Sequence, residues 1–384
     1  MRDWLQSSSL QHGEREFRLD DAERRVCSTI AELGLSATLQ CYGGDPTVWR
    51  CQLVGQTGES TPYGMGWGKG CSDGARVGAL YEALEHHVTQ RPSDQMVLRS
   101  CAEVAASGLS GETYVALLAE QPSKVIACRV YQQLAGQDTL AVPLFLSNTD
   151  WVEQHSAAVR SRLGDTTDYT SLARYSSNSG CAIGGSRNEA AVHAINEAIE
   201  RDALSLFLLR CIVSPTPSAP AFLDPATLPV ELQTLLGQVQ TRMGRDVWLI
   251  DITSDVGVPS TMAYSPGQPG HRLYGSGTSL SRHYSVHRAL TELLQLKLGR
   301  GEVVAAEEVE AIELLREFPV LHTCAQLDLR SAAASAPQLA YVDTQAPSSP
   351  AGHLDELRAR LAHRGLKAYY QEAYLSANGI TAVH

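Results

Sequence analysis

Apolar residues recur with helical spacing along two stretches of the chain, one following Ser72 and one at about 188–210, and each stretch carries a Glu-x-x-Glu pair: Glu82/Glu85 in GALYEALEHHV and Glu197/Glu200 in VHAINEAIERDAL. Members of a pair three residues apart share one helical face. Their neighbours Leu80, Ala83, Leu84, Ile195, Ala198 and Ile199 give both helices an apolar character that predicts burial. Glu at helical spacing most often lines a solvated face. Two pairs in apolar surroundings point the other way, because a buried carboxylate without a positive partner costs several kcal/mol.

The same periodicity places the other elements. Residues 20–33 (DDAERRVCSTIAEL) predict a first helix, acidic at its start and stopped by Gly34, with a strand-like stretch after it. Residues 60–71 (STPYGMGWGKGC) read as a flexible Gly-rich loop, and Ser72 as the N-cap of the first acidic helix. Strands are expected at 124–131 and 140–146, then an irregular stretch over 164–188 before the second acidic helix. Further on come helix 226–243, strands VWLIDIT and VPSTMAYS, helix 285–299, helix 304–315, strand 339–342, helix 353–364 and strand 366–372. Alternating helices and strands indicate an α/β or α+β fold. With no linker and no fixed-period repeat, residues 1–384 read as one domain whose first 60 residues belong to the core; SAAASAPQ and TQAPSSPAG are surface loops.

At 43% hydrophobic and 19% charged, the 384 residues suit a globular enzyme. The net charge of −11, without a basic stripe, argues against a nucleic-acid binder. Met1 to Arg18 is polar, and no apolar run reaches the roughly 18 residues of a membrane span, so no membrane association and a cytoplasmic location are expected. Nine scattered cysteines (27, 41, 51, 71, 101, 128, 181, 211, 324) lack zinc-site spacing and read as reduced core thiols. Cys181, in the loop SNSGCAIGGS near His193, is the one candidate nucleophile, although small residues in tight loops more often serve packing.

Known phosphate motifs fail. A P-loop ending at Lys69 needs its first glycine at Tyr63 and a Ser/Thr at Gly70, and a dinucleotide fingerprint from Gly64 and Gly66 needs its third glycine at Lys69. What remains is a backbone-exposed loop with one cation, Lys69, leading into a helix, an arrangement able to hold an anion. A third segment, HRALTELLQ, sets Arg288 and Glu292 four apart, which as an isolated feature is a common surface ion pair. Beside two acidic pairs it suggests Mg-ATP: the nucleotide brings roughly four negative charges and the pairs four more, so about two or more Mg²⁺ would be needed.

GKGCSDGARVGALYEALEHH, GCAIGGSRNEAAVHAINEAIERDAL, DITSDVGVPSTMAYS and HRALTELLQ, in that order, resemble the YcaO superfamily of ATP-dependent peptide backbone modifiers. The resemblance runs from about residue 30 to the end, and the SGCAIGGS loop resembles cyclodehydratase subunits of the microcin B type. It implies a fold without a P-loop whose mixed sheets and helices enclose ATP and Mg²⁺. Glu82, Glu85, Glu197 and Glu200 would be metal ligands, Glu189 and Glu292 would complete the acidic shell, and Arg288 would contact phosphate. Arg288, Glu197 and Glu200 would carry the chemistry. Two positions depart from the pattern: Gly78 replaces a Ser and Gly185 an Asn, for which Ser186 or Asn178 could substitute.

The implied reaction converts Cys, Ser or Thr of a ribosomal precursor peptide into thiazoline or oxazoline by phosphorylating the preceding backbone amide. No fused leader-binding domain precedes the first acidic pair, so a separate ubiquitin-activating-like partner is expected. An FMN-dependent azoline dehydrogenase and a homodimer within the complex are further candidate partners. The chain stops at Gly379–His384, where many relatives continue into a strand and a Pro-rich tail, so either the gene product is longer or the reaction differs. Competing readings are a thioamide- or amidine-forming relative, a carboxylate-bridged metalloprotein using His86 or His193, and a silent scaffold.

Overall fold

Glycines at 64, 66, 68 and 70 fall at every second position, and this period, read above as a loop, belongs to a strand: β3 (Ser60–Gly70). It closes an antiparallel meander with β1 (Ser36–Tyr42) and β2 (Thr47–Val54). The computed structural model describes residues 13–90, 96–267, 273–299, 302–334 and 336–384; residues 1–12 of the expected core segment 1–60 lie outside these. The first helix, α1 (Leu19–Glu32), lies close to its expected bounds, and the first acidic helix, α2 (Ser72–Thr89), carries Glu82 and Glu85 as expected. Ser72, however, is the first helical residue, and Cys71 occupies the cap position without a side-chain hydrogen bond.

The glycines explain why β3 is a strand. It lies directly on the backbone of α2: a methyl at Gly68 would stand 1.6 Å from the Ala75 carbonyl oxygen, and one at Gly66 would stand 2.1 Å from the Ala83 nitrogen. Those distances are far inside van der Waals contact, so only glycine permits the approach.

Three further sheets complete the architecture. In one, β5 (Val125–Gln133) pairs with β4 (Met96–Ser100), β6 (Thr139–Pro143) and β13 (Tyr369–Tyr370). A second joins β7 (Ala182–Gly184), β15 (Thr381–Val383) and β14 (Glu372–Leu375). The third runs β11-β10-β9-β8-β12, comprising β8 (Ala221–Leu223), β9 (Trp248–Asp251), β10 (Ser260–Ser265), β11 (Leu273–Thr278) and β12 (Gln338–Leu339). Within it β12 runs parallel to β8 and the other pairs are antiparallel, so this sheet is mixed, the pairs described in the other three are antiparallel, and the fold is α+β. The expected strand 366–372 is divided between β13 and β14, in different sheets, because its two halves pair with β5 and β15.

The main helices continue with α3 (Arg187–Leu208), α4 (Val230–Met243), α5 (Arg282–Gly299), α6 (Glu302–Leu314) and α7 (Pro350–His363). Short helices at Cys101–Ala105, Val115–Ala119, Ala157–Leu163, Pro319–Gln326 and Arg330–Ala333 had no strong periodic signal. One apolar core gathers Leu232, Leu236 and Val239 of α4 with Val286, Leu290 and Leu293 of α5. Another gathers Val26 and Ile30 of α1 with Leu80, Ala83 and Leu84 of α2. Ala198 is an exception to the expected burial and is exposed.

The contact between β3 and α2 recurs. On β11, a methyl at Gly275 would lie 2.3 Å from the Leu293 nitrogen, and one at Gly277 would lie 2.4 Å from the Ser285 carbonyl oxygen, both on α5. On β7, Gly184 approaches the Ala190 nitrogen of α3 in the same manner, at 2.6 Å. Each helix that carries a candidate motif is thus pressed onto a glycine of the strand before it.

Candidate functional site

The glycine contacts bring α2, α3 and α5 together, and their polar faces form one cluster. Lys69, at the end of β3, donates to Glu292 Oε2 at 2.6 Å. On β11, the Ser276 hydroxyl donates to Glu200 Oε1 at 2.7 Å, and its backbone N–H donates to Glu292 Oε1 at 3.4 Å. From β7, the Ile183 N–H donates to Glu85 Oε2 at 3.0 Å. The sequence-expected pair within one helix, Arg288 with Glu292, does not form: Glu292 is closed by Lys69, which reaches it from another element.

Like charges dominate the cleft. Burial pushes the Glu85 carboxyl well above the usual range, and Glu82 and Glu197 push it further. Glu82 is raised by burial against the opposing pull of His86 and Lys69. Burial pushes Glu197 up to about 7, with Arg201 opposing and Glu200 adding to the shift. Burial also raises Glu200, and Arg288 opposes it. For Glu292 burial acts upward, but Lys69, Arg288 and the Ser276 N–H together outweigh it and the carboxyl is held low. Glu200 Oε2 and Arg288 Nε are both buried without a partner among the described residues.

These are the marks of a site built for a cation and an anion together. Among the described residues no three His, Cys, Asp or Glu side chains are gathered closely enough to hold a metal alone. Mg²⁺ does not require such a cage, since it is commonly held by one or two carboxylates, waters and substrate phosphates. The pairs on α2 and α3, with an unpartnered Glu200 oxygen and an unpartnered Arg288 nitrogen, fit that division.

Other expectations fare differently. Glu189 is buried, but its carboxylate is already engaged by backbone: the Gly185 N–H donates to Oε2 at 2.6 Å and the Glu16 N–H to Oε1 at 2.5 Å. Ser186 caps α3, accepting from the Glu189 N–H at 3.3 Å, and Asn178 is exposed. A side chain at Gly185 would meet the Phe17 ring 2.6 Å away, so the space an Asn would need is filled, whereas a methyl at Gly78 would have only an ordinary contact, 3.6 Å from Gly68.

Cys181 is buried with its thiol pushed far up, by burial first and Glu85 next, which disfavours the thiolate a nucleophile needs. All nine cysteines are free; Cys51, Cys101, Cys128 and Cys181 are buried, while Cys27 and Cys41 are exposed rather than in the core. His86 Nδ1 lies 2.7 Å from the Met65 carbonyl and must donate to it, which removes that nitrogen from metal binding.

Two contributions escaped the sequence reading. Ser276 sits in a strand whose Gly-x-Gly spacing mirrors that of β3, a signal present but unused. The stretch 13–18, read only as polar, reaches the cleft: Glu14 is buried, accepts from Asn196 at 3.4 Å and pairs with the Ser279 hydroxyl. Arg15 lies among Tyr284, Glu189, Glu14 and Arg288; burial and Arg288 act to lower it, yet Tyr284, Glu189 and Glu14 outweigh them and keep it charged.

A pH dependence follows for the metal-free protein. Glu197 titrates higher folded than unfolded, so its contribution to stability is present below its ordinary value of 4.5 and lost as pH rises through about 7. Urea unfolding in a chelator should show a decline of up to about 3 kcal/mol between pH 5 and pH 8 relative to the Glu197→Gln protein. Parallel pH profiles for the two proteins would count against a buried, strained carboxylate.

The family model described as YcaO cyclodehydratase, ATP- and Mg²⁺-binding, matches residues 67–384. An uncharacterized protein of Methanothermobacter thermautotrophicus is 27% identical over 225 residues, covering 58% of this chain and 54% of the relative. Among solved structures, a heterocyclase in complex with substrate and cofactor aligns with a TM-score of 0.68 at 16% identity, over 96% of this chain and 52% of its own. YcaO from Methanopyrus kandleri, bound with AMPPCP and Mg²⁺, aligns with a TM-score of 0.64 at 20% identity, over 97% of this chain and 91% of its own. A chain of the E. coli microcin synthetase McbBCD complex aligns with a TM-score of 0.57 at 12% identity, over 91% of this chain and 86% of its own. The chain therefore spans about half the length of that curated relative and of the heterocyclase. At these identities the structural likenesses establish the fold. Among the described residues no helix is long and apolar enough to cross a membrane.

Proposed function

The chain belongs to the YcaO family, and on that premise we propose that it is the ATP-dependent cyclodehydratase subunit of a peptide-modifying system. Its substrate is a ribosomal precursor peptide, in which Cys, Ser or Thr close to thiazoline or oxazoline rings. The observation that carries this reading is the meeting of two acidic pairs, Glu200 buried and Glu82, Glu85 and Glu197 half-buried, with Arg288 in one cleft, where Glu200 Oε2 and Arg288 Nε lack partners among the described residues.

The chemistry asks little of a protein nucleophile. The peptide's own thiol or hydroxyl adds to the preceding carbonyl carbon, and the resulting oxyanion takes the γ-phosphoryl group of ATP, releasing ADP. The carbon–oxygen bond then breaks, inorganic phosphate leaves, and loss of the amide proton leaves the C=N bond of the azoline. An amide oxygen leaves poorly until it is phosphorylated, so the protein's task is positioning and charge stabilisation. Glu82, Glu85, Glu197 and Glu200 would hold Mg²⁺, which when bound neutralises phosphate oxygens. Arg288 stays protonated, because Glu200 and its other anionic neighbours outweigh the effect of burial, and it meets the phosphate as a donor. Lys69 fixes Glu292 and with it the near wall of the cleft.

A separate partner protein that binds the peptide leader belongs to the proposal. The near-complete match to one chain of a multisubunit microcin synthetase supports it. A ubiquitin-activating-like protein suits that role, and an FMN-dependent dehydrogenase would oxidise azolines afterwards.

The test is mass spectrometry of a precursor peptide incubated with this protein, its genomic-neighbour partner and Mg-ATP. Loss of one water per modified Cys, Ser or Thr, dependent on ATP, is the expected result. Replacement of oxygen by sulfur would select the thioamide-forming reading, and an unchanged peptide alongside unchanged ATP would overturn both.

A further inference from the structure

Arg288 enters the cleft with few restraints. Glu292, one turn further along α5, is tied to Lys69 at 2.6 Å. Two backbone N–H groups donate to the Glu189 carboxylate, and Ser279 and Asn196 both donate to Oε1 of Glu14. Among the described residues the hydrogen bond of the Arg288 guanidinium is from Nη1 to Nδ1 of His193, at 3.4 Å.

An arginine only donates, so His193 Nδ1 is the acceptor and the ring is neutral with its proton on Nε2. The surroundings maintain that state: burial first, then Arg288 from α5, Arg15 from the N-terminal stretch and Lys69 from β3, hold the imidazole well below its usual range. A carboxylate at position 193 would orient the guanidinium equally well, but it would neutralise it and compete with an incoming phosphate. A neutral acceptor orients the cation and leaves its charge available.

We infer that His193 is the positioning residue for Arg288, aiming its guanidinium into the nucleotide cleft through the Nδ1 lone pair. The inference rests on the reading of that cleft as a Mg-nucleotide site. His193 lies one turn from Glu189 and one turn from Glu197 on α3, so the helix that supplies the second acidic pair also sets the direction of the cation facing it.

The test measures binding of a non-hydrolysable ATP analogue with Mg²⁺ to the full chain by calorimetry. His193→Leu keeps a similar volume without the acceptor, and His193→Asn keeps an acceptor near the Nδ1 position. The Leu variant should bind about tenfold more weakly or worse, and the Asn variant should recover most of that loss. In the background of Arg288→Met, His193→Leu should cause no further loss, since the two residues act as one unit.

Leu and Asn variants that both bind like the unsubstituted protein, or that are equally weak, would overturn the inference, as would additive losses with Arg288→Met. Melting temperatures of the nucleotide-free variants separate these results from unfolding. No binding by the unsubstituted protein would instead remove the nucleotide site and the inference with it.

Discussion

Glu197→Gln should lower ATP-dependent turnover by about a thousandfold while leaving the nucleotide-free protein as stable as before, or more so. Both halves follow from one physical fact. The Glu197 carboxyl is pushed up to about 7 by burial, with Glu200 adding to the shift, so holding it ionised at pH 8 opposes folding. Gln has nearly the same shape and no charge, so it removes that opposition at the cost of a long, exposed contact with Arg201 at 3.7 Å. The charge that strains the apo protein is the one that the proposed Mg-nucleotide site needs, so its removal should take a metal ligand away. Phosphate release measured with partner and peptide, beside thermal melting, checks both. Turnover near the unsubstituted level would defeat the metal-ligand role, and a large drop in melting temperature would defeat the account of strain.

Arg288→Met carries the second large effect. Removing a preorganised cation from a buried site of phosphoryl transfer should cost about a hundredfold to a thousandfold in kcat/KM for ATP. Arg288→Lys should restore little of it, because a lysine lacks the planar fork and cannot keep both the His193 contact and a phosphate contact.

A second signature distinguishes charge loss from misplacement. Burial raises Glu200, and Arg288 is the leading opposing influence, so the Met variant's Glu200 titrates higher still. The deficit should therefore narrow over the range of rising pH in which Glu200 regains its charge. A deficit of constant size across that range would show that Arg288 does not hold Glu200 ionised.

Particular elements show how far local pattern reaches. The second acidic helix, expected at about 188–210, forms at Arg187–Leu208, and the strand expected in VPSTMAYS forms at Ser260–Ser265. Both have strong periodicity and clear boundaries. The stretch 60–71 misled for the opposite reason: glycine lowers strand propensity, and its regular alternation has meaning only when a helix backbone fills the space where side chains would be. Short helices such as Cys101–Ala105 are set by tertiary contacts and a capping box, with too few residues for a periodic signal.

The candidate site divides similarly. Its acidic residues and Arg288 were legible because each lies within a motif of a few residues on one helix. The groups that set their chemistry were not. Lys69 and Glu292 are separated by 223 positions, and His193 and Arg288 by 95; Ser276 reaches Glu200 of α3 from strand β11.

The sequence by itself determined which helices carry the carboxylates and the cation, the mixed fold they belong to and, through the ordered motifs, the family. Only the tertiary structure decided that Lys69 rather than Arg288 closes Glu292, that Glu189 accepts from two backbone N–H groups and that His193 meets Arg288. Helical spacing is a local property of the chain, whereas those pairings depend on strands β3, β7 and β11 approaching helix backbones so closely that only glycine fits.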